Sequence, residues 1–406
     1  MREAAEQRWP LIIIFLTVFI DLIGFGIVFP IISYYAESNQ MTGTQIGIFL
    51  GAYSLMQFIF APVLGRWSDR IGRRPVLILS LFGTGISYLM LGFAASFWFF
   101  LLSRTLDGIS GSSVSVAQAY IADITEPHNR TKRLGAVIGS AYGLGFALGP
   151  ALGALLLNFG NPSLPYFVAG AIAIANAIAA IILLPESLTI RRAEHRIGFR
   201  TFSLRYLTDQ LLSPVLGTLF IVYAVMILAF ASMEATFSLL AKHLFHISGT
   251  DIYWIFFYLG IVMTLVQGGL IRPLAKTLGE TKMIVLGNAI MAISLFLIPQ
   301  QQTLWWAYLT MGVLALGNGL CSPCLMSLIS QRSSATEQGE KLGAAQSLAS
   351  LSRFLGPLFG GIAFHRISPA SPYLIAAAVM GLVLLISLQL LRSESRSTAT
   401  SAESAR

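Results

Sequence analysis

The sequence predicts an all-α polytopic membrane protein, with twelve transmembrane helices in two pseudo-symmetric six-helix bundles. Three observations carry that prediction. Only 11% of the 406 residues are charged while 55% are hydrophobic, against roughly 25% charged in an ordinary soluble chain. The apolar residues fall in runs of about 20, the length that crosses ~30 Å of hydrocarbon. The chain also repeats itself, with Gly149-Pro150-x-x-Gly153 returning as Gly356-Pro357-x-x-Gly360, 207 residues later.

Hydropathy places the spans near 11–35, 44–65, 75–95, 97–121, 133–158, 164–184, 212–240, 250–273, 282–299, 303–330, 341–364 and 371–392. A transmembrane β-barrel would instead show short segments of alternating hydrophobicity. The first run is too long for a signal-peptide core and lacks a small-residue cleavage site, so it is expected to remain as the first span.

The cations orient the chain. Among all Lys and Arg residues, only Lys242 and Arg366 fall in loops of one side, and only Arg104 and Arg353 lie well inside spans. The others gather after spans 2, 4, 6, 8 and 10 and in the two tails, which predicts that those loops and both termini are cytoplasmic. The net charge of +8 is therefore read as topology and not as affinity for nucleic acid.

The longest internal connection carries Arg191, Arg192, Arg196, Arg200 and Arg205. It divides the chain into an N-terminal bundle at 1–190, a cytoplasmic linker at 191–211 and a C-terminal bundle at 212–392. A Ser-, Ala- and Glu-rich tail at 393–406 is expected to be disordered. The 207-residue offset also brings Gly72 onto Gly279, and Leu134-Gly135-Ala136 returns as Leu342-Gly343-Ala344 with one residue of slip. Weak internal repetition of this kind marks duplicated transporters that bind substrate near the midplane.

Charges inside spans are the candidate site. Asp21 lies about ten residues into span 1, ~15 Å at the helical rise, where a carboxylate is costly and usually faces a polar cavity. Its functional reading is a proton carrier or substrate counter-ion, and the bland one a fixed ion pair. Arg104 and Asp107 are three residues apart and share a helix face. Arg104 stays charged, so it can modulate acids without carrying protons. Glu234 in the outer half of span 7 is the second half's intramembrane acid. Arg353 in span 11 either satisfies carbonyls freed by Pro357 or pairs with Glu234 or Asp21. Gln118, Tyr53, Gln57, Tyr142, Tyr223, Tyr258, Gln267 and Gln346 are candidate cavity liners.

Between spans 2 and 3 lies Gly65-Arg-Trp-Ser-Asp69-Arg70-Ile-Gly72-Arg73-Arg74-Pro75. Gly65 and Gly72 permit close approach and a tight turn, Pro75 suits a first helical turn, and Asp69 is placed to accept from a helix N-terminus. In span 5 the glycines Gly145, Gly149 and Gly153 give a packing face, and Pro150 bends the helix.

Together these segments resemble the major facilitator superfamily over essentially the whole chain. The 65–75 stretch looks like its loop 2–3 motif. Arg104-Thr-Leu-Asp-Gly108, running on to Ala119-Tyr-Ile-Ala-Asp123, is similar to proton-coupled drug exporters. Gly145-x-x-x-Gly149-Pro150-x-x-Gly153 looks like the antiporter motif of span 5, and Asp21-x-x-Gly24-x-Gly26-x-x-x-Pro30 fits the same group. The first half most resembles the tetracycline–proton antiporter branch. It departs from that branch in carrying Ser87 where the branch has an acid in span 3, no acid in span 9, and Arg353 in span 11. The second half, with Met233-Glu234-Ala-Thr-Phe237, reads more like generic multidrug exporters.

The resemblance implies a proton-coupled antiporter that exports amphipathic, cationic or zwitterionic molecules by alternating access. On their position inside spans, and not on the resemblance, Asp21, Glu234 and Asp107 are expected to couple protons in that order of preference, and Asp21, Arg104, Gln118, Glu234 and Arg353 are expected to line the cavity. Gly65, Asp69, Arg70, Gly72, Arg73, Arg74, Gly145, Gly149, Pro150 and Gly153 would gate. Its partners would be the substrate, protons and a lipid bilayer, the bacterial inner membrane being expected, with the protein a monomer.

Other chemistries find little support. Cys321-Ser-Pro-Cys324 has redox spacing but lies in span 10, His243 and His246 lack further ligands for a metal, and no phosphate-binding loop motif is present. No cofactor and no enzymatic activity are expected. The remaining alternatives are a proton symporter importing a metabolite and, in a different class, a non-transporting sensor or scaffold on the same fold.

Overall fold

In the computed structural model the described residues are 8–38, 41–125, 137–138, 140–187, 204–213, 216–245, 249–300, 303–333 and 338–404. The linker at 191–203, the start of the span expected at 133–158, His246 and the side chain of Tyr142 lie outside them. Fifteen α-helices and no strand occur among the described residues. They are α1 (Arg8–Ser38), α2 (Gly43–Ile71), α3 (Arg73–Gly92), α4 (Phe97–Gly111), α5 (Ser113–Asp123), α6 (Ser140–Leu157) and α7 (Leu164–Leu183), then α8 (Leu204–Leu211), α9 (Gly217–Phe245), α10 (Gly249–Leu265), α11 (Ile271–Leu278), α12 (Glu280–Leu297), α13 (Leu304–Gln331), α14 (Gln338–Arg366) and α15 (Ser371–Ser404). A π-helical turn, Val266–Leu270, joins α10 to α11.

Ten of these segments are long and apolar enough to cross a membrane, and Gly143–Leu157 is a shorter apolar helix. The span expected at 97–121 is two consecutive helices, α4 and α5, meeting at Ser112. The twelve predicted spans thus stand as ten full helices, one shorter helix and one broken pair among the described residues. In the segment after the last span, α15 runs on to Ser404. Its Ala, Glu and Arg residues are good helix formers and continue the turns of the apolar segment.

Local sequence explains the ends. Thr42 and Gln45 form a reciprocal capping box at the start of α2, each answering an otherwise unpaired backbone N–H. Ser96 and Thr303 cap α4 and α13 through their hydroxyls. Between α2 and α3 only Gly72 intervenes, at φ +112°, a conformation that a side chain would strain. Gly279 does the same between α11 and α12 at φ +82°, so the offset read from the sequence reappears as backbone geometry.

The helices fall into two units. The first comprises 1–197 with His246–Gly260, and the second Gly198–Phe245 with 261–406. Within the first unit α1 packs on α6, α3 on α7, and α4 on both α2 and α3. Within the second, α9 packs on α14, α12 on α15 and α13 on α12. These pairings match under the internal repeat, so each half solves the same packing problem with its own copy of the sequence.

The repeated Gly-Pro-x-x-Gly explains the first pairing. A Cβ at Gly149 would stand 2.8 Å from the Ile23 carbonyl of α1, and one at Gly356 2.7 Å from the Leu228 carbonyl of α9. Only glycine lets these backbones approach so closely, as at other small-residue helix interfaces. The first unit's core includes Ile14, Val18, Leu77, Val116, Tyr120 and Ala177.

Candidate functional site

Four helices of the first unit converge on its buried charges. Asp21 comes from α1, Tyr53 and Gln57 from α2, Tyr88 from α3, and Arg104 with Asp107 from α4. Asp21, Arg104 and Asp107 are 5%, 0% and 1% exposed. Arg104 Nη1 meets Asp107 Oδ2 at 2.6 Å, along one face of α4. The Tyr53 hydroxyl donates to Asp21 Oδ2 at 2.9 Å. Gln57 Nε2 donates to the Tyr53 oxygen at 3.4 Å and to the Gly111 carbonyl at 3.3 Å. The Tyr88 hydroxyl donates to the backbone carbonyl of Asp21 at 3.2 Å.

Tyr53 connects the two charged groups. Its ring centroid lies 4.9 Å from the Arg104 guanidinium carbon, with the Phe49 ring at 5.6 Å, and a cation so placed is attracted by the π faces. Glycines of α4 make the convergence possible. A Cβ at Gly111 would stand 2.7 Å from the Tyr53 hydroxyl and 2.9 Å from Asp21 Oδ1, and one at Gly108 would run into the Tyr53 backbone.

This cluster is not fully satisfied. Asp21 Oδ1, Asp107 Oδ1 and the Nε and Nη2 of Arg104 are buried without hydrogen-bond partners. The cluster holds two carboxylates and one guanidinium, which pairs with Asp107 alone, so with both acids ionised it carries a net negative charge, and one added proton makes it neutral. Uncompensated charge in a low-dielectric interior is costly. The arrangement is therefore chemically suited to gaining and losing a proton.

A second network ties α2, α3, α5 and the end of α7 together. Arg73 meets Asp69 at 2.7 Å and Asp123 at 3.2 Å, and its Nη1 donates to Ser68 Oγ at 2.6 Å. Glu186, which sequence reasoning did not single out, accepts from the backbone N–H of Arg73 at 2.9 Å and of Arg74 at 3.3 Å. Glu186 rather than Asp69 thus caps the N-terminus of α3, where partial positive charge favours a carboxylate. The only sequence signal was its place just after span 6 and Pro185. Arg74 donates to the Ile181 carbonyl, and Tyr120 to the Pro185 carbonyl at 2.8 Å. Arg70 is exposed. At Gly65 an added Cβ would meet nothing within 4 Å, so this glycine makes no close approach.

The equivalent corner of the second unit inverts the charges. Under the repeat, Lys276 and Glu280 stand where Asp69 and Arg73 stand in the first. Glu280 accepts from Ser327 Oγ at 2.7 Å and from Gln331 Nε2 at 3.2 Å, both on α13, and among the described residues no cation lies within salt-bridge distance of it.

In the second unit Glu234, on α9, is 4% exposed, and no described cation comes within salt-bridge distance. Arg353, on α14, is partly exposed. Cys321 and Cys324 are buried free thiols, with Cys321 Sγ 3.3 Å from Asn288 Oδ1. Among the proposed liners Tyr53 and Tyr223 are buried, Gln57 is half-buried, and Gln118, Tyr258, Gln267 and Gln346 are exposed. Around the span 5 glycines, a Cβ at Gly145 would stand 2.7 Å from Leu22, the Pro150 ring lies against Gly26, and Gly153 lies against the Tyr253 ring of α10.

Comparison with known proteins agrees with this architecture. The family model of the Major Facilitator Superfamily matches residues 14–350 and 219–406. Multidrug resistance protein 2 of Bacillus subtilis (strain 168) is 30% identical over 378 residues, covering 92% of this chain and 93% of that protein. The class C tetracycline resistance protein of Escherichia coli is 32% identical, with 96% and 98% covered. The crystal structure of the human organic anion transporter MFSD10 is similar with a TM-score of 0.70 at 26% identity, over 94% of this chain and 99% of that one. A bacterial homologue of the human lysosomal transporter Spinster, at 14% identity and a TM-score of 0.74 over 95% and 96%, shares the fold.

Proposed function

Because the chain belongs to the Major Facilitator Superfamily, a family of multi-pass membrane transporters, we propose that it is a proton-coupled antiporter exporting amphipathic small molecules by alternating access. The buried cluster around Arg104 carries this reading. Two buried carboxylates beside a single cation, which pairs with Asp107 alone, with unpartnered oxygens on both (Asp21 Oδ1 and Asp107 Oδ1), suit reversible protonation. The relatives named for multidrug and tetracycline resistance support export of drug-like compounds.

In this mechanism Asp21 is the primary proton carrier. Its proton leaves when substrate or a change of access alters its surroundings, and Tyr53 holds the ionised carboxylate by its hydroxyl. Asp107 fixes Arg104. In the tetracycline branch span 3 supplies an acid where this chain has Ser87, and here Ser87 lies within reach of Asp107. Glu234 serves as a second proton or cation site in the other half. Each proton moving inward down the potential contributes about 2.3 kcal/mol per 100 mV.

The networks at Gly72 and Gly149 act as the gates, with Asp69, Arg73 and Arg74 held by ion pairs and helix-cap bonds that must open for the conformation to change. The cationic loops support cytoplasmic termini, and the membrane in this reading is the bacterial inner membrane. The decisive experiment uses everted vesicles energised to an acidic interior, a pH-sensitive dye and a panel of cationic dyes, tetracyclines and fluoroquinolones. Compound-dependent proton release by the wild type, absent in Asp21→Asn, is expected. Equal release by both proteins overturns the role of Asp21, and silence across the panel with folded protein overturns drug export.

A further inference from the structure

Among the described residues Arg353 has no ion-pair partner. It sits on α14 (Gln338–Arg366), about 20 Å from either end at the helical rise, so it lies at mid-depth of its span. Among the described residues its guanidinium makes one hydrogen bond, from Nη2 to Ser350 Oγ at 3.4 Å, one turn back on its own helix. The group has five N–H donors in a planar fork.

Neither structural explanation available for it is met among the contacts of the described residues. No bond from the guanidinium to a carbonyl freed by Pro357 is present among its contacts, and no carboxylate of the described residues lies within salt-bridge distance. The side chain nevertheless does not point to lipid. Arg353 shares the face of α14 that carries Gly356 and Gly360, and those glycines pack on Leu228 and Ser232 of α9. It lies within electrostatic reach of Tyr223 and Glu234, both on α9. It remains partly exposed on this inward face.

An intramembrane arginine is costly to bury and is retained where it meets a polar cavity or a counter-charge. Here no carboxylate of the described residues pairs with it, and Glu234, within electrostatic reach, forms no ion pair with it. We infer that Arg353 is an anion receptor, and that the substrates of this transporter include amphipathic molecules bearing a carboxylate, which Arg353 clasps through its free donors. A guanidinium fork matches the two oxygens of a carboxylate, where a lysine would offer a point charge. Glu234, on the facing helix and held apart from Arg353, is placed for an amine on the same molecule. This inference rests on the transporter reading above, and it assigns a carboxylate, and the residue that receives it, to that substrate class.

The test uses the full chain, purified into lipid nanodiscs, and two fluorescent probes that differ at one group. Rhodamine B has a free carboxylate, and its ethyl ester keeps the same cationic ring system without one. The wild type is expected to bind the acid at least tenfold more tightly than the ester by fluorescence anisotropy. Arg353→Gln should lose that preference by weakening the acid alone, with the ester serving as the check that the site is folded, and Arg353→Lys should restore it in part. Equal affinity for the two probes in the wild type, no binding of the acid, or equal weakening of both probes by Arg353→Gln would each overturn the proposal. Arg353-dependent binding in a protein that shows no flux in vesicles supports the receptor while removing the export reading. Flux of cations with no preference for the acid does the reverse.

Discussion

Arg104 pairs with Asp107 at 2.6 Å on its own helix, although Asp21 is buried in the same cluster. The cation of the first unit is therefore committed within α4, and Asp21 is held by a neutral donor, Tyr53. Chemistry at Asp21 can proceed without breaking the ion pair that stabilises the centre of the bundle.

This separation predicts different outcomes for two conservative substitutions. Tyr53→Phe removes the donor to Asp21 but keeps the ring beneath Arg104. Stability should fall by about 1 kcal/mol, the usual worth of one hydrogen bond, while proton release in vesicles falls several-fold. Unchanged coupling would show that Tyr53 is only packing.

Asp107→Asn should act mainly on stability. It leaves a fully buried guanidinium with no carboxylate within salt-bridge distance, and breaking a buried pair from one side costs about 3–5 kcal/mol. Thermal melting of the purified protein reads the loss. Adding Arg104→Gln should recover much of it, and a double variant no better than the single one would contradict the pairing.

Glu186→Gln should loosen the start of α3. The carboxylate accepts from the N–H groups of Arg73 and Arg74, and losing a cap of this kind costs about 0.5–2 kcal/mol. Hydrogen exchange at the amides of residues 73 and 74 should quicken, and exchange at wild-type rates would remove Glu186 from the network.

The glycines should divide sharply. Gly149→Ala and Gly356→Ala each push a methyl group against a backbone carbonyl of the partner helix, an overpacking worth about 1–3 kcal/mol. Gly65→Ala meets open space inside a helix, where alanine is favoured by about 0.5–1 kcal/mol. Melting temperatures should fall for the first two and hold or rise for the third.

Hydropathy made most of the fold legible, because a membrane span must be apolar over its whole length. The expected 164–184 is Leu164–Leu183, and 282–299 is Glu280–Leu297. It misplaced the end of the second span, since α2 continues past Gly65 to Ile71. That segment is polar yet helical, and only the positive φ at Gly72 stops it. The break at Ser112 left no mark in hydropathy because α4 and α5 are both apolar.

Individual site residues were legible and their partners were not. Asp21, Arg104, Asp107 and Glu234 stand out as charges in an apolar context. Tyr88 and Gly111 do not, because their part depends on which faces α1 to α4 turn to one another. Glu186 read as one more loop acid, since a helix cap across more than a hundred residues of sequence has no local signature.

The charge inversion between the two glycine corners makes them unequal responders to ionic strength. The corner at Gly72 is held partly by ion pairs among Asp69, Arg73 and Asp123, in which Asp69 and Asp123 are partly exposed, and salt weakens such pairs. The corner at Gly279 is held by neutral donors reaching Glu280, which salt scarcely touches. The duplicated chain thus holds two glycine corners of matching backbone shape but different solvent sensitivity, and a change in the surrounding electrolyte would loosen the Gly72 corner while leaving its twin in place.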